Sequence, residues 1–141
     1  MHKPALPTRA RNSTKQAGDV AEEQALQHLQ ARGLKLLTRN YRTPGRGGGE
    51  VDLVMRTADG TLVFVEVRRR ANARHGGAAA SVGWVKRKRI ILAARHYLLR
   101  WPSPPPCRFD VVAIEGGPGD GDEQLVWLQA AFDLGDGGRG F

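Results

Sequence analysis

Three carboxylates sit where carboxylates are costly. The stretch from Gly49 to Arg70 reads as two apolar runs joined at Asp59-Gly60, and Glu50, Asp52 and Glu66 fall inside those runs. Strand side chains alternate between two faces, so Glu50, Asp52 and Val54 share one face, and Leu62, Phe64, Glu66 and Arg68 share one face of the second run. The intervening positions, Val51, Leu53, Met55, Val63, Val65 and Val67, are apolar too, as in strands covered on both sides. The acids are therefore expected to be partly buried. Loop length decides whether they meet. A two-residue Asp59-Gly60 loop sets Asp52 opposite Val67, with Glu66 on the other face. A three-residue loop Ala58-Asp59-Gly60, with Gly60 left-handed, sets Asp52 directly opposite Glu66, and this is the register we expect. Like charges with Cβ atoms roughly 5 Å apart repel, so the pair needs a cation between them or a proton on one of them. A hard divalent ion with oxygen ligands is the simplest answer.

Asp52 followed by Glu66-Val67-Arg68 resembles the PD-(D/E)xK nuclease signature, whose acids bind Mg²⁺ and whose lysine helps position the attacking water. More narrowly, Gly-Glu-Val-Asp-Leu-Val at 49–54, Phe-Val-Glu-Val-Arg at 64–68, Tyr-Leu at 97–98 and Arg-Phe-Asp-Val-Val-Ala-Ile at 108–114 resemble the YraN family of uncharacterised, endonuclease-like bacterial proteins. The resemblance runs from about Gly18 to Phe132. It implies an α/β, restriction-endonuclease-like core, with a central mixed sheet of four to five strands flanked by two helices. It also implies Mg²⁺ or Mn²⁺ held by Asp52 and Glu66, with Glu22 matching the glutamate that a first helix contributes in many such nucleases. The Val67 carbonyl is a further donor. Such an ion would polarise a phosphodiester and lower the pKa of a bound water, giving in-line hydrolysis.

The chain departs from the general motif in two places: Arg68 stands where the motif has Lys, and no Pro precedes Asp52 in the motif's manner. A guanidinium cannot act as a base, but Arg68 could orient water or stabilise pentacovalent charge. Alternatively it clamps Glu50 or Glu66 without any metal, which would make the protein a nuclease-shaped binding module with no turnover. Glu50 could ligate through water or accept a hydrogen bond; as a plain core acid it needs a basic partner such as Arg68.

The elements that must position these groups are legible as follows. Asp19 is a suitable N-cap for a helix running to about Arg32 and stopping at Gly33. Ala21, Ala25, Leu26, Leu29 and Arg32 mark its buried side, and Glu22 lies on or beside that face. There Glu22 either completes the acidic site or pairs with an arginine such as Arg42. Leu34 to Tyr41 reads as a first strand, and Thr43 to Gly49 as a flexible glycine-rich connection whose Arg46 could approach a phosphodiester. A second helix, capped at Ser81 and ended by Pro102, has its core stripe at Ile90, Ile91, Ala94, Tyr97, Leu98 and Trp101. Extended backward, the stripe reaches Lys86 and Arg87; Lys86 then either meets a scissile phosphate or lays its stem on apolar surface with its head in water. Arg108 to Glu115 and Leu125 to Phe132 complete the strands, with Asp110 read as a structural acid.

At 141 residues the chain has room for one domain. We expect a basic arm over residues 1–16, one nuclease-like domain over 17–132 and a disordered tail over 133–141. The net charge is +8, and its distribution is uneven: eleven Lys or Arg and no acid lie between Val67 and Phe109, whereas six acids follow Ile114. That segregation points to a polyanion, nucleic acid foremost, lined by Arg46, Arg69, Arg70, Arg74, Lys86, Arg87, Lys88 and Arg89; the resemblance to nucleases puts DNA before RNA. An adaptor for an acidic protein is the remaining alternative. A single cysteine excludes an internal disulfide and a cysteine-based zinc cluster. Without an apolar leader or a membrane-length run, the expectation is a cytoplasmic protein with no membrane partner. Likeness to junction-acting nucleases adds a homodimer to the expectations.

Overall fold

In the computed structural model, which describes residues 9–70, 77–116 and 123–135, the turn that decides the register is the three-residue one. Thr57 N–H bonds the Thr61 carbonyl at 2.9 Å and Gly60 N–H bonds the Thr57 carbonyl at 3.0 Å. Gly60 takes φ +93°, a left-handed conformation open to it because it lacks a Cβ. Strands β2 (Glu50–Arg56) and β3 (Leu62–Arg70) then pair antiparallel, Arg56 with Leu62 through Leu53 with Val65. The ladder ends one step short of Asp52 and Glu66, whose side chains lie next to each other where it stops.

Before β2 comes β1 (Lys35–Arg42), antiparallel to it; beyond β3 lie β4 (Cys107–Glu115), parallel to β3, and β5 (Gln124–Phe132), antiparallel to β4. The strands stand in the order β1-β2-β3-β4-β5. The result is the expected α/β core, a mixed sheet with two helices. Helix α1 (Arg9–Ala31) brings Ala25, Leu26 and Leu29 onto Leu53, Met55, Val63, Val65 and Val112. On the other face α2 (Trp84–Leu98) brings Ile90, Ile91, Ala93, Ala94 and Tyr97 onto Val54, Leu62, Phe64, Phe109, Val111 and Ala113. Parallel strands need a crossover, and α2 supplies it between β3 and β4.

Several local expectations are corrected. The first helix begins at Arg9, ten residues before the expected cap at Asp19. Gly18 is exposed, and a glycine inside a helix costs only about 1 kcal/mol, so nothing after Pro7 forces a break. Its C-terminus is as expected: Gly33 at φ +95° lets Leu34 N–H reach the Leu29 carbonyl at 3.1 Å, the six-to-one bond of a glycine-ended helix. Arg32 is exposed and takes no part in the buried stripe. Helix α2 is capped by Gly83 with no side-chain bond, while Ser81 lies in a preceding 3-10 turn with its hydroxyl on the Ala78 carbonyl. The imperfect alternation of β1 has its cause in a register shift between Leu36 and Thr38.

Candidate active site

Lys86 and Arg89 of α2 reach Glu50, and Lys86 also reaches Glu66, so these two acids lie between the sheet and the start of that helix. Val51 packs on the α2 side and Leu53 on the α1 side, so the expected alternation of β2 breaks at Asp52 between them. Gly49 makes the approach close. A Cβ there would stand 2.4 Å from Ala93 N and 2.5 Å from the Arg89 carbonyl, so the glycine lets the β2 entry lie against the helix backbone. Asp52 is held by Val67, whose N–H donates to Oδ2 at 2.8 Å. The β1 register brackets Asn40 opposite Asp52, and Asn40 takes φ +51°.

The Glu66 side chain is only 4% exposed. Its two oxygens differ. Oε2 has Arg68 Nη1 at 3.5 Å and Lys86 Nζ at 3.7 Å, while Oε1 is buried with no hydrogen-bond partner. Burial, and then the neighbouring Asp52 charge, push the Glu66 carboxyl up to about 8. As two anions the carboxylates have nothing to donate to each other; with the proton on Glu66 they can share it. Below about pH 8 the proton on Glu66 relieves the repulsion that the spacing in the sequence implies.

Lys86 enters the cluster itself. Its ammonium lies 2.8 Å from Glu50 Oε2 as well as close to Glu66, and Arg89 Nη2 takes the other Glu50 oxygen at 3.3 Å. The Lys86 hydrogen bond draws the Glu50 carboxyl below its ordinary range. For Lys86, burial favours the neutral amine, but Glu50, Glu66 and Asp52 outweigh it and raise its pKa. Glu50 therefore has Lys86 and Arg89 as partners where Arg68 had been expected. Arg68 is not a two-pronged clamp: one nitrogen approaches Glu66 and Nη2 donates to the Ser81 carbonyl at 3.0 Å.

Glu22 approaches from the α1 side, 15% exposed, with Arg39 Nη2 at 4.0 Å from Oε1 in place of the expected Arg42. Burial and the Asp52 charge raise its pKa, and an Asn40 side-chain bond opposes the shift. Among the described residues no three acidic, histidine or cysteine side chains converge as a ligand cluster. Glu22 Oε1, like Glu66 Oε1, is buried without a hydrogen-bond partner, and the Asp52 charge acts on both carboxyls. Two carboxylates still fit a small hard cation, since Mg²⁺ keeps several waters and takes one or two protein carboxylates, and the bare Glu66 Oε1 is an oxygen suited to it.

The basic residues divide. Arg69 bonds Glu123 at 2.8 Å and Gln24 at 3.0 Å. Arg70 bonds the Gly77 carbonyl and approaches Glu115 at 3.6 Å, and Arg87 donates to the Val82 and Ala79 carbonyls. These three hold the structure together. Arg46, Lys88 and Arg89 are exposed, and Arg74 lies outside the described residues. Asp110 is fully buried, accepting from Arg108 at 3.0 Å, Trp127 Nε1 at 2.9 Å and Ala130 N at 3.0 Å. It pins the irregular β4–β5 pairing, the structural role expected of it. Gly49 and Asn40 were not foreseen as site residues; their roles depend on what approaches them from α2 and α1. Among the described residues no helix is long and apolar enough to cross a membrane.

Known proteins carry a similar sequence over most of its length. The chain is 64% identical over 125 residues to a UPF0102 protein of Paracidovorax citrulli, covering 89% of this chain and 88% of that one. It is 67% identical over 121 residues to a UPF0102 protein of Albidiferax ferrireducens, at 86% and 90% coverage. A more distant relative, from Cupriavidus pinatubonensis, is 52% identical over 129 residues, at 92% and 94% coverage. The model of the uncharacterised protein family UPF0102 matches residues 21–114, which contain every acid of the site. The chain therefore belongs to family UPF0102, the YraN family that its motifs resemble.

Proposed function

We propose that the protein is a metal-dependent nuclease that hydrolyses phosphodiester bonds in DNA, with Asp52 and Glu66 holding Mg²⁺ or Mn²⁺. The observation that carries this reading is the buried Glu66 Oε1, without a hydrogen-bond partner and beside a second carboxylate, with the nearest Arg68 and Lys86 contacts at its other oxygen. When bound, such an ion supplies Lewis acidity at the scissile phosphodiester. Lys86, anchored by Glu50, offers an ammonium to the phosphate as negative charge develops on it. Arg68 contributes positive charge but cannot take a proton from water; its bond to the Ser81 carbonyl holds it in place.

A second reading, nucleic-acid binding without turnover, is favoured by one observation: Arg68 and Lys86 already offset the Glu66 charge at Oε2. Cleavage of branched, single-stranded and duplex DNA with Mg²⁺ and Mn²⁺ separates the two. Glu66→Ala is expected to abolish cleavage and weaken Mn²⁺ binding in calorimetry. Lys86→Met should lower the rate by roughly a hundredfold, with partial recovery in Lys86→Arg. Cleavage by Glu66→Ala at the parent rate would mean a contaminating enzyme and end the nuclease reading.

A further inference from the structure

The outward side of α2 takes no part in the acidic site, yet it is neither bland nor acidic. At 3.6 residues per turn, Trp84, Lys88, Leu92, Arg95 and Leu99 fall along one line. Trp84 is 57%, Leu92 46% and Leu99 77% exposed. Beside this line runs a groove of about 410 Å³ that Trp84, Lys88, Arg89, Leu92 and Arg95 share with Gly47 of the β1–β2 connection. A second hollow of about 460 Å³ continues it past Leu92 and Arg95 to Arg46 and Leu99. Among the described residues lining either hollow there is no Asp or Glu.

Apolar side chains interleaved with cations, in a concave strip free of acids, suit a polyanion that also presents flat apolar faces. An unpaired nucleic-acid strand is such a partner; a duplex keeps its base faces stacked inside, where an exposed indole cannot reach them. Lys88 Nζ lies over one face of the Trp84 ring, 4.3 Å from its centroid, so a base would stack on the other face or displace the ammonium to the adjoining phosphate. Arg89 joins the groove to the acidic site, since it lines the first hollow and also reaches Glu50 at 3.3 Å. A two-fold contact with a second copy would use the same patch on both partners, setting Lys88 and Arg95 against their own likenesses. A bilayer surface would leave the concavity unfilled.

We propose that this groove binds a single-stranded segment of nucleic acid, with one unpaired base stacked on Trp84 and backbone phosphates on Lys88, Arg89, Arg95 and Arg46. The proposal rests on the nucleic-acid part of the reading above, but not on turnover. It narrows the substrate to strands that are at least partly unpaired.

The test uses the full chain with a chelator present, its affinity for a fluorescein-labelled oligothymidylate and for a labelled blunt duplex read by anisotropy, with tryptophan emission followed in the parent. The single strand is expected to quench emission and the duplex to bind more weakly. Trp84→Leu should lose roughly fivefold or more in affinity for the single strand, while Trp84→Phe should stay within about twofold of the parent because stacking survives; circular dichroism checks that both variants fold. Equal binding by Trp84→Leu and the parent would overturn the groove, and so would a mass in light scattering that doubles with concentration in the parent but not in Trp84→Leu. Binding of anionic vesicles that depends on Trp84 and outcompetes the oligonucleotide would overturn it too. A groove that fails while Glu66-dependent cleavage persists leaves the nuclease reading standing; Trp84-dependent binding without cleavage does the reverse.

Discussion

Glu66 titrates at about 8 in the folded protein against an ordinary value of 4.5, because burial and then Asp52 both disfavour its charge. Between those values the folded protein holds a proton that the unfolded chain has released. The stabilisation is therefore complete below the unfolded pKa and is lost as pH rises through about 8. The size is on the order of a few kcal/mol. We predict that the thermal midpoint of the metal-free protein falls between pH 5 and pH 9 and that Glu66→Gln flattens this fall, measured by calorimetry across the range. A divalent ion bound at Asp52 and Glu66 must displace the same proton. Mn²⁺ titrations at pH 6.5 in buffers of different ionisation heat should then show release of about one proton, fading above pH 9. The acids and their spacing were legible in the sequence. The partner of Glu50 was not, because Lys86 reaches it from a helix 36 positions away in the chain.

At the scale of elements, the close approach of β2 to α2 rests on Gly49, and the β4–β5 pairing on Asp110. Gly49→Ala places a methyl within 2.4 Å of Ala93 N and 2.5 Å of the Arg89 carbonyl, backbone atoms that cannot turn aside. We expect a loss of about 1–3 kcal/mol in urea unfolding, together with weaker cleavage because Lys86 rides on the displaced helix. Asp110→Ala leaves Arg108 and the Trp127 indole without their buried acceptor. That change should cost about 3–5 kcal/mol while leaving Mn²⁺ affinity within a factor of two or so in folded protein, which separates this acid from the pair at Asp52 and Glu66. The β4 strand could be read from its run of Val and Ile, and the end of α1 from Gly33. The start of α1 could not, since capping residues inside a helix look like those at its head.

Over the whole molecule, the run of cations from Val67 to Phe109 does two jobs once it is folded. Arg69, Arg70 and Arg87 bond acids and carbonyls of the structure, leaving Lys88, Arg89 and Arg95 along α2 to face outward. Binding to a single strand should weaken linearly in the logarithm of salt. Replacing Lys88 and Arg95 together by Gln should reduce that slope by about 1.4, from about 0.7 for each phosphate contact removed. A Gln pair at positions 69 and 70 is expected to destabilise the fold instead, as seen by urea unfolding.

By itself the sequence determined the hairpin register, the burial of its acids and the covering of both sheet faces, because period-two alternation and a three-residue turn ending in Gly60 are local properties. Only the tertiary structure decided which cations meet which acids. It drew Lys86 into the site and left Trp84 outside it, because helix rotation and the crossover between β3 and β4 bring together residues that no local pattern relates.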